Sequence, residues 1–230
     1  MEFIACNTDN YRAGRTQPVR YIVMHYTANN GDTAQNNCDY YHRVGGLQAS
    51  AHYFVDEYGA MQSVHEDDTA WHCGARAYWH PECRNANSIG IEMCSRKRAD
   101  GSYYIKPETV ANAAALAKDI MQRYGIDTEH VLRHYDVTGK RCPMPWVDDP
   151  AQWTAFKDML TPKNTTTVEE DDDMATRYNT VAELPEWAQE ETQKLIDRGA
   201  LLGDAHGKLD VTMDMLRTMI VCQRMVDGNK

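Results

Sequence analysis

The sequence holds no apolar run near the ~20 residues that a membrane span needs. Its opening, Met1 to Asn7, lacks a basic segment followed by a long apolar one, so no signal peptide is read there. Synthesis in the cytoplasm without a signal peptide is the expectation. Positive charge is scarce. Lys and Arg number 24 against 34 Asp and Glu, a net charge of -10. The longest basic cluster is Arg96-Lys97-Arg98. Phosphate backbones need clustered cations, so nucleic acid is not the main partner, and no membrane partner is expected. The seven cysteines are odd in number. No second thiol stands near Cys6, Cys38, Cys83 or Cys94 at metal spacing, which excludes a structural zinc finger. Reduced thiols follow rather than a disulfide framework. One of them, Cys142, is assigned to metal.

What is present fits one medium domain and one small one in 230 residues. Residues 1–20 are polar and read as an irregular lead-in. Tyr21-Ile22-Val23-Met24 is an apolar run that suits a buried strand with its chemistry at the end. Thr33 can cap a helix over 34–44 that stops at Gly45-Gly46. His52 to Asp56 and Ala60 to Val64 read as a hairpin turned at Tyr58-Gly59. Residues 66–88 show no period and read as a long functional loop. Ser88 to Cys94 is a strand in which Ile89, Ile91 and Met93 share one face, and Gly90, Glu92 and Cys94 the other. Residues 107–124 carry helical spacing between Pro107 and Gly125. A further helix starts at Asp149-Pro150 and packs back through Trp153, Phe156, Met159 and Leu160. Strands alternating with helices predict an α/β fold, a mixed central sheet flanked by helices.

The chain is organised around Leu132 to Pro143. There a histidine at a strand end, His134, is followed in the next turn by Lys140 and Cys142. Imidazole and thiolate are the usual zinc donors, and a catalytic zinc takes three protein ligands plus water. The best third ligand is His25, at the end of the first apolar strand. Taken alone, each histidine is more often a core or surface residue. Both stand at predicted strand ends, and the cysteine and lysine that follow His134 turn the balance. Glu92 lies in a strand that otherwise looks buried, and a buried unpaired carboxylate is costly and marks sites. It is the candidate general base. Lys140 is the candidate cation for a developing oxyanion. Trp71 and His72 read either as packing beside a turn or as a groove wall that contacts substrate, and His52 as a structural or substrate residue.

Five segments then resemble one family. They are Ile22 to Thr27, Ser50 to Asp56, Ala70-Trp71-His72-Cys73-Gly74, Asn87 to Glu92, and His134 to Pro143. Together, and in this order over about residues 20–160, they resemble the zinc-dependent N-acetylmuramoyl-L-alanine amidases, which include phage endolysins, bacterial autolysins and peptidoglycan recognition proteins. The resemblance implies a groove over zinc, with His25, His134 and Cys142 as ligands and Glu92 and Lys140 as the catalytic pair. Some relatives place a tyrosine before the second-strand histidine. Ala51 stands there in this chain, which leaves proton transfer to Glu92.

The resulting domain reading is a catalytic domain over 1–160, an acidic linker over 161–176 and a small helical module over 177–230. The linker carries three consecutive threonines and Glu169 to Asp173, and cannot bury a core. Helices are expected over Pro185 to Arg198 and Thr212 to Val226, with apolar stripes that need a partner, the first domain or another copy. This module resembles one S-layer homology repeat through Leu184 to Ala188, Leu195 to Asp204 and Gly207 to Val211. It departs from that pattern at Thr212 to Met215. The expected partner is peptidoglycan of Gram-positive walls, with self-association through the module, and the expected place of action is the cell wall. The alternatives are a peptidoglycan-binding protein without hydrolysis and a zinc peptidase acting on wall peptides.

Overall fold

Ile22 and Met24 point to one side of a strand, and Val23 and His25 to the other, because successive side chains alternate across a pleat. This alternation builds a sheet with an apolar face and a chemical face. The computed structural model describes residues 1–161, 177–204, 208–212, 215, 216 and 219. It divides into two compact units, Met1–Pro162 and Lys163–Lys230.

In the first unit the main sheet is six-stranded among the described residues. It contains β1 (Glu2–Phe3), β3 (Tyr21–Tyr26), β4 (Tyr53–Asp56), β5 (Gly59–Gln62), β7 (Ser88–Met93) and β10 (Val131–Arg133), in the order β1-β5-β4-β7-β3-β10. Two short ribbons accompany it: β2 (Tyr11–Arg12) with β6 (Thr69–Ala70), and β8 (Arg96–Lys97) with β9 (Tyr103–Tyr104). β4 and β5 form the expected antiparallel hairpin. The run β4, β7, β3, β10 is parallel throughout. Successive parallel strands need crossover connections, and two of these contain helices. They are α1 (Ala34–Arg43) between β3 and β4, and α2 (Pro107–Tyr124) between β7 and β10.

Ile22, Met24, Ile89, Ile91, Met93, Tyr53 and Val55 form the core face. Against it pack Ala113, Ala114, Ala117 and Ile120 of α2, Trp146 of α4 (Met144–Asp148), and Phe156 and Leu160 of α5 (Pro150–Leu160). Burial of each large side chain there contributes about 1.5–3 kcal/mol. The small alanine stripe lets α2 lie close to the sheet. Thr33 caps α1 as expected: its hydroxyl accepts from Asn36 N at 3.1 Å while Asn36 Oδ1 accepts from Thr33 N at 3.2 Å. α2 stops at Gly125, which takes φ 64°, a left-handed conformation that glycine adopts without strain.

Three expectations are corrected. The lead-in is not irregular throughout: β1 pairs parallel to β5 at the sheet edge, and β2 pairs with β6. These two-residue strands are too short to show a period. Met159 does not pack back; it is 38% exposed, because the buried stripe of α5 runs through Phe156 and Leu160. His134 does not end a strand. It opens the short helix α3 (His134–Thr138), directly after β10.

The second unit holds α6 (Glu186–Asp197) and an antiparallel ribbon of β11 (Arg177–Tyr178) and β12 (Val211–Thr212). Leu184, Ala188, Leu195, Leu201, Val211 and Leu216 gather into a small core of its own. Thr212 therefore closes a strand rather than opening the expected second helix. Of that helix, Met215, Leu216 and Met219 are helical, and the rest lies outside the described residues. The acidic linker lies outside them too, apart from Thr161. No helix among the described residues is long and apolar enough to cross a membrane.

Candidate metal centre

Parallel register creates the site. Leu132 pairs with Val23 and Arg133 with Met24, so the next residue, His134, emerges beside His25. On the other flank His25 pairs with Glu92. Three parallel strands thus deliver His134, His25 and Glu92 in one row at their C-terminal ends, where open α/β sheets collect ligands. α3 then turns the chain back. Gly139, at φ 78°, ends the helix with its N–H on Tyr135 O, and Tyr135 N donates to Cys142 O at 2.9 Å. This return brings Cys142 Sγ to 3.7 Å from His25 Nδ1.

His25, His134 and Cys142 are all buried, and their donor atoms lie within 4.8 Å of one another. Together they could hold a metal ion. Burial, helped by the neighbouring imidazoles and Lys140, pushes the His25 pKa well below its usual range. Burial and Lys140 push that of His134 down to about 3. Both rings are therefore neutral at pH 7, with lone pairs free to coordinate. Burial and then the Glu92 charge push the Cys142 thiol up to about 12, so its proton leaves only if a cation takes its place. His134 Nδ1 is buried without a hydrogen-bond partner among the described residues. A buried imidazole nitrogen left without a partner is costly, and its chemistry suits a metal.

Glu92 is half-buried, and its Oε2 is fully buried without a partner among the described residues. Burial raises its pKa to about 7; Lys140 opposes the rise and Asp32 adds to it. A carboxyl poised near neutrality can both take and return a proton. Two cavities open at the ends of the row. One of about 490 Å³ is lined by Glu92, Asp32, Asn36 and Tyr40. The other, about 670 Å³, is lined by His134, Lys140, Trp71 and His72.

The sequence profile of the N-acetylmuramoyl-L-alanine amidase family matches residues 15–145, more than half of the chain. The chain belongs to that family. Similar proteins include the N-acetylmuramoyl-L-alanine amidase CwlL of Bacillus licheniformis, 43% identical over 148 residues, covering 60% of this chain and 40% of the relative. A probable N-acetylmuramoyl-L-alanine amidase of the same species is 36% identical over 163 residues, covering 67% and 45%. Among solved structures, the catalytic domain of XlyA aligns with TM-score 0.57 and 29% identity, covering 70% of this chain and 100% of that one. The chain spans less than half the length of the two curated relatives.

Within this member of the amidase family, the residues expected from sequence fall into two groups. His25, His134 and Cys142 come together, Glu92 pairs with His25 on the neighbouring strand, and Lys140, Trp71 and His72 line the cavity beside His134. His52 is not brought to the groove. It is fully buried, its Nδ1 accepts from Gly90 N at 3.0 Å, and its Nε2 lies 3.3 Å from Asp68 O and 2.7 Å from Arg15 Nη2. Of its two expected roles, these contacts fit the structural one.

Sequence reasoning missed three residues near the site. Arg15, in the supposed lead-in, donates to Glu66 O, Ala86 O and Ser88 O and ties both ends of the 66–88 loop to the sheet. Trp79 is 64% exposed and lies against Gly139, where an added Cβ would meet its ring at 2.4 Å. Asp32 lines the cavity beside Glu92, its Oδ1 buried without a hydrogen bond among the described residues. Only Trp79, an aromatic in a loop of Gly, Pro and Asn, carried a signal in the sequence.

Proposed function

We propose that the chain is a peptidoglycan hydrolase that cuts the amide between N-acetylmuramic acid and L-alanine, and that its cofactor is zinc. The observation that carries the reading is the meeting of His25, His134 and Cys142 in the same row as Glu92. The two imidazoles and the thiolate would hold the ion. Bound there, zinc supplies Lewis acidity to water and to the scissile carbonyl. Glu92 takes a proton from the attacking water. The water oxygen adds to the carbonyl carbon, and the negative charge that develops on the carbonyl oxygen faces the Lys140 ammonium. Glu92 then passes its proton to the leaving nitrogen. The C–N bond breaks, leaving the muramyl carboxylate and the free amine of L-alanine. Trp71, on the cavity wall, offers an aromatic face for sugar or peptide.

The finer reading is an endolysin-like enzyme acting on Gram-positive walls. Its second unit would be a small S-layer-homology-like module that binds wall or assembles chains. The unit's own small core, around Leu184, Leu195 and Leu216, supports a separate module. Defined muropeptides give the test. Mass analysis should find intact glycan lactyl carboxylates and peptides that begin at L-alanine, and Glu92→Ala should abolish both while retaining zinc. Cleavage inside the stem peptide, or none with zinc supplied, would exclude this function.

A further inference from the structure

A chain of hydrogen bonds runs from His25 away from the metal position and ends on a carbonyl. His25 Nε2 lies 3.1 Å from His72 Nδ1. His72 Nε2 lies 3.1 Å from Ser88 Oγ, and the Ser88 hydroxyl reaches Arg84 O at 2.7 Å. All three side chains are buried. A backbone carbonyl can only accept, and along a chain of neutral imidazoles this sets the direction of every bond before it. Ser88 donates to Arg84 O, so its oxygen accepts from His72 Nε2–H. A neutral imidazole with its proton on Nε2 has a bare Nδ1. His72 Nδ1 therefore accepts from His25 Nε2–H, and His25 keeps a free lone pair on Nδ1, the atom that faces Cys142 Sγ at 3.7 Å.

Gly90 makes room for this arrangement. A Cβ on Gly90 would lie 2.5 Å from His72 Cγ and 2.8 Å from Nδ1, closer than nonbonded carbons tolerate. The strand is held in place behind the ring, with Gly90 N donating to His52 Nδ1 and Gly90 O accepting from His52 N at 3.1 Å. His72 thus has one seat, flat on the glycine.

We propose that His72 is a positioning residue: it fixes the tautomer and orientation of His25 so that Nδ1 is presented, unprotonated, as a metal donor. The inference rests on the reading of His25 as a metal ligand. Partners that hold the outer nitrogen of a ligating histidine are typically worth 10–100-fold in metal affinity.

The test uses the full chain. In metal-free protein, ¹⁵N NMR of the His25 ring should show the proton on Nε2. By chelator competition with Zn²⁺, His72→Phe, which keeps a ring but removes the acceptor, should bind about 10–100-fold more weakly. His72→Asn, whose amide oxygen can take the place of Nδ1, should recover affinity to within about 3-fold of the parent, most of that loss. Ser88→Ala, which frees the direction of the chain, should give a smaller loss and a mixed His25 tautomer. A His25 proton on Nδ1 in the parent overturns the proposal. So does parent-like Zn²⁺ affinity in His72→Phe, or no recovery in His72→Asn. If His72→Phe does not fold, the parent tautomer and Ser88→Ala decide. A parent that fails to bind Zn²⁺ removes the metal reading itself, whereas a parent that binds while His72→Phe binds equally removes only the role of His72.

Discussion

His25 Nδ1 and Cys142 Sγ lie 3.7 Å apart although 117 positions separate them in the chain. The contact is weak as a hydrogen bond and buried on both sides, and the proposed reading makes the two atoms a pair of metal donors. Cys142→Ala should lower Zn²⁺ affinity by at least ~100-fold, beyond the usual effect of a merely supporting partner. Loss of one small buried side chain should leave the circular dichroism unchanged. Chelator competition measures the first effect, and parent-like Zn²⁺ binding would remove Cys142 from the ligand set.

The proposed role of Glu92 predicts the pH response. As a base it must be ionised, so the hydrolytic rate should climb as pH rises through about 7, the value to which burial carries its pKa against the pull of Lys140. An acidic limb centred near the ordinary carboxyl value of 4.5 would remove Glu92 from that role.

The same shift has a cost in stability. A carboxyl whose pKa is higher in the folded protein binds its proton more tightly there than in the unfolded chain. Stability is therefore lost as pH rises from about 4.5 to about 7 and stays lower above that. In chelator-treated protein, Glu92→Gln should be the more stable of the two at pH 8, by on the order of 1 kcal/mol given the group's partial exposure. The two should converge below pH 4. Denaturant melts at the two pH values read this gap.

Arg15 clamps the loop that carries Trp71, His72 and Trp79. Its guanidinium serves the carbonyls of Glu66, Ala86 and Ser88. Arg15→Met keeps the aliphatic stem but leaves buried acceptors unpaired, at about 1–3 kcal/mol. Faster amide exchange should appear around residues 66–88 before the strands loosen. Uniform exchange across the sheet would show that the clamp is not local.

The row of His134, His25 and Glu92 shows how far the sequence was legible. Each residue sits at or just beyond an apolar run, of six positions in β3 and β7 and of three in β10. The α2 helix was equally legible, bracketed by Pro107 and Gly125. β1 and β2 were not, because two residues carry no period. Nor could sequence spacing assign His52 and His72. Both are histidines flanked by small or aromatic residues, yet one is sealed behind Gly90 and the other lies upon it.

By itself the sequence determined the longer elements, β3, β7, α1 and α2, because periodicity and capping are local properties of neighbouring residues. It also brought forward the candidate donors, since two imidazoles, a thiol, a carboxylate and an amine at strand ends and turns have few other uses together. Only the tertiary structure decided where each side chain lies. Strand order, parallel register and the bare backbone of Gly90 determine which ring faces which, and these depend on residues 16 to 117 positions apart that no local pattern relates.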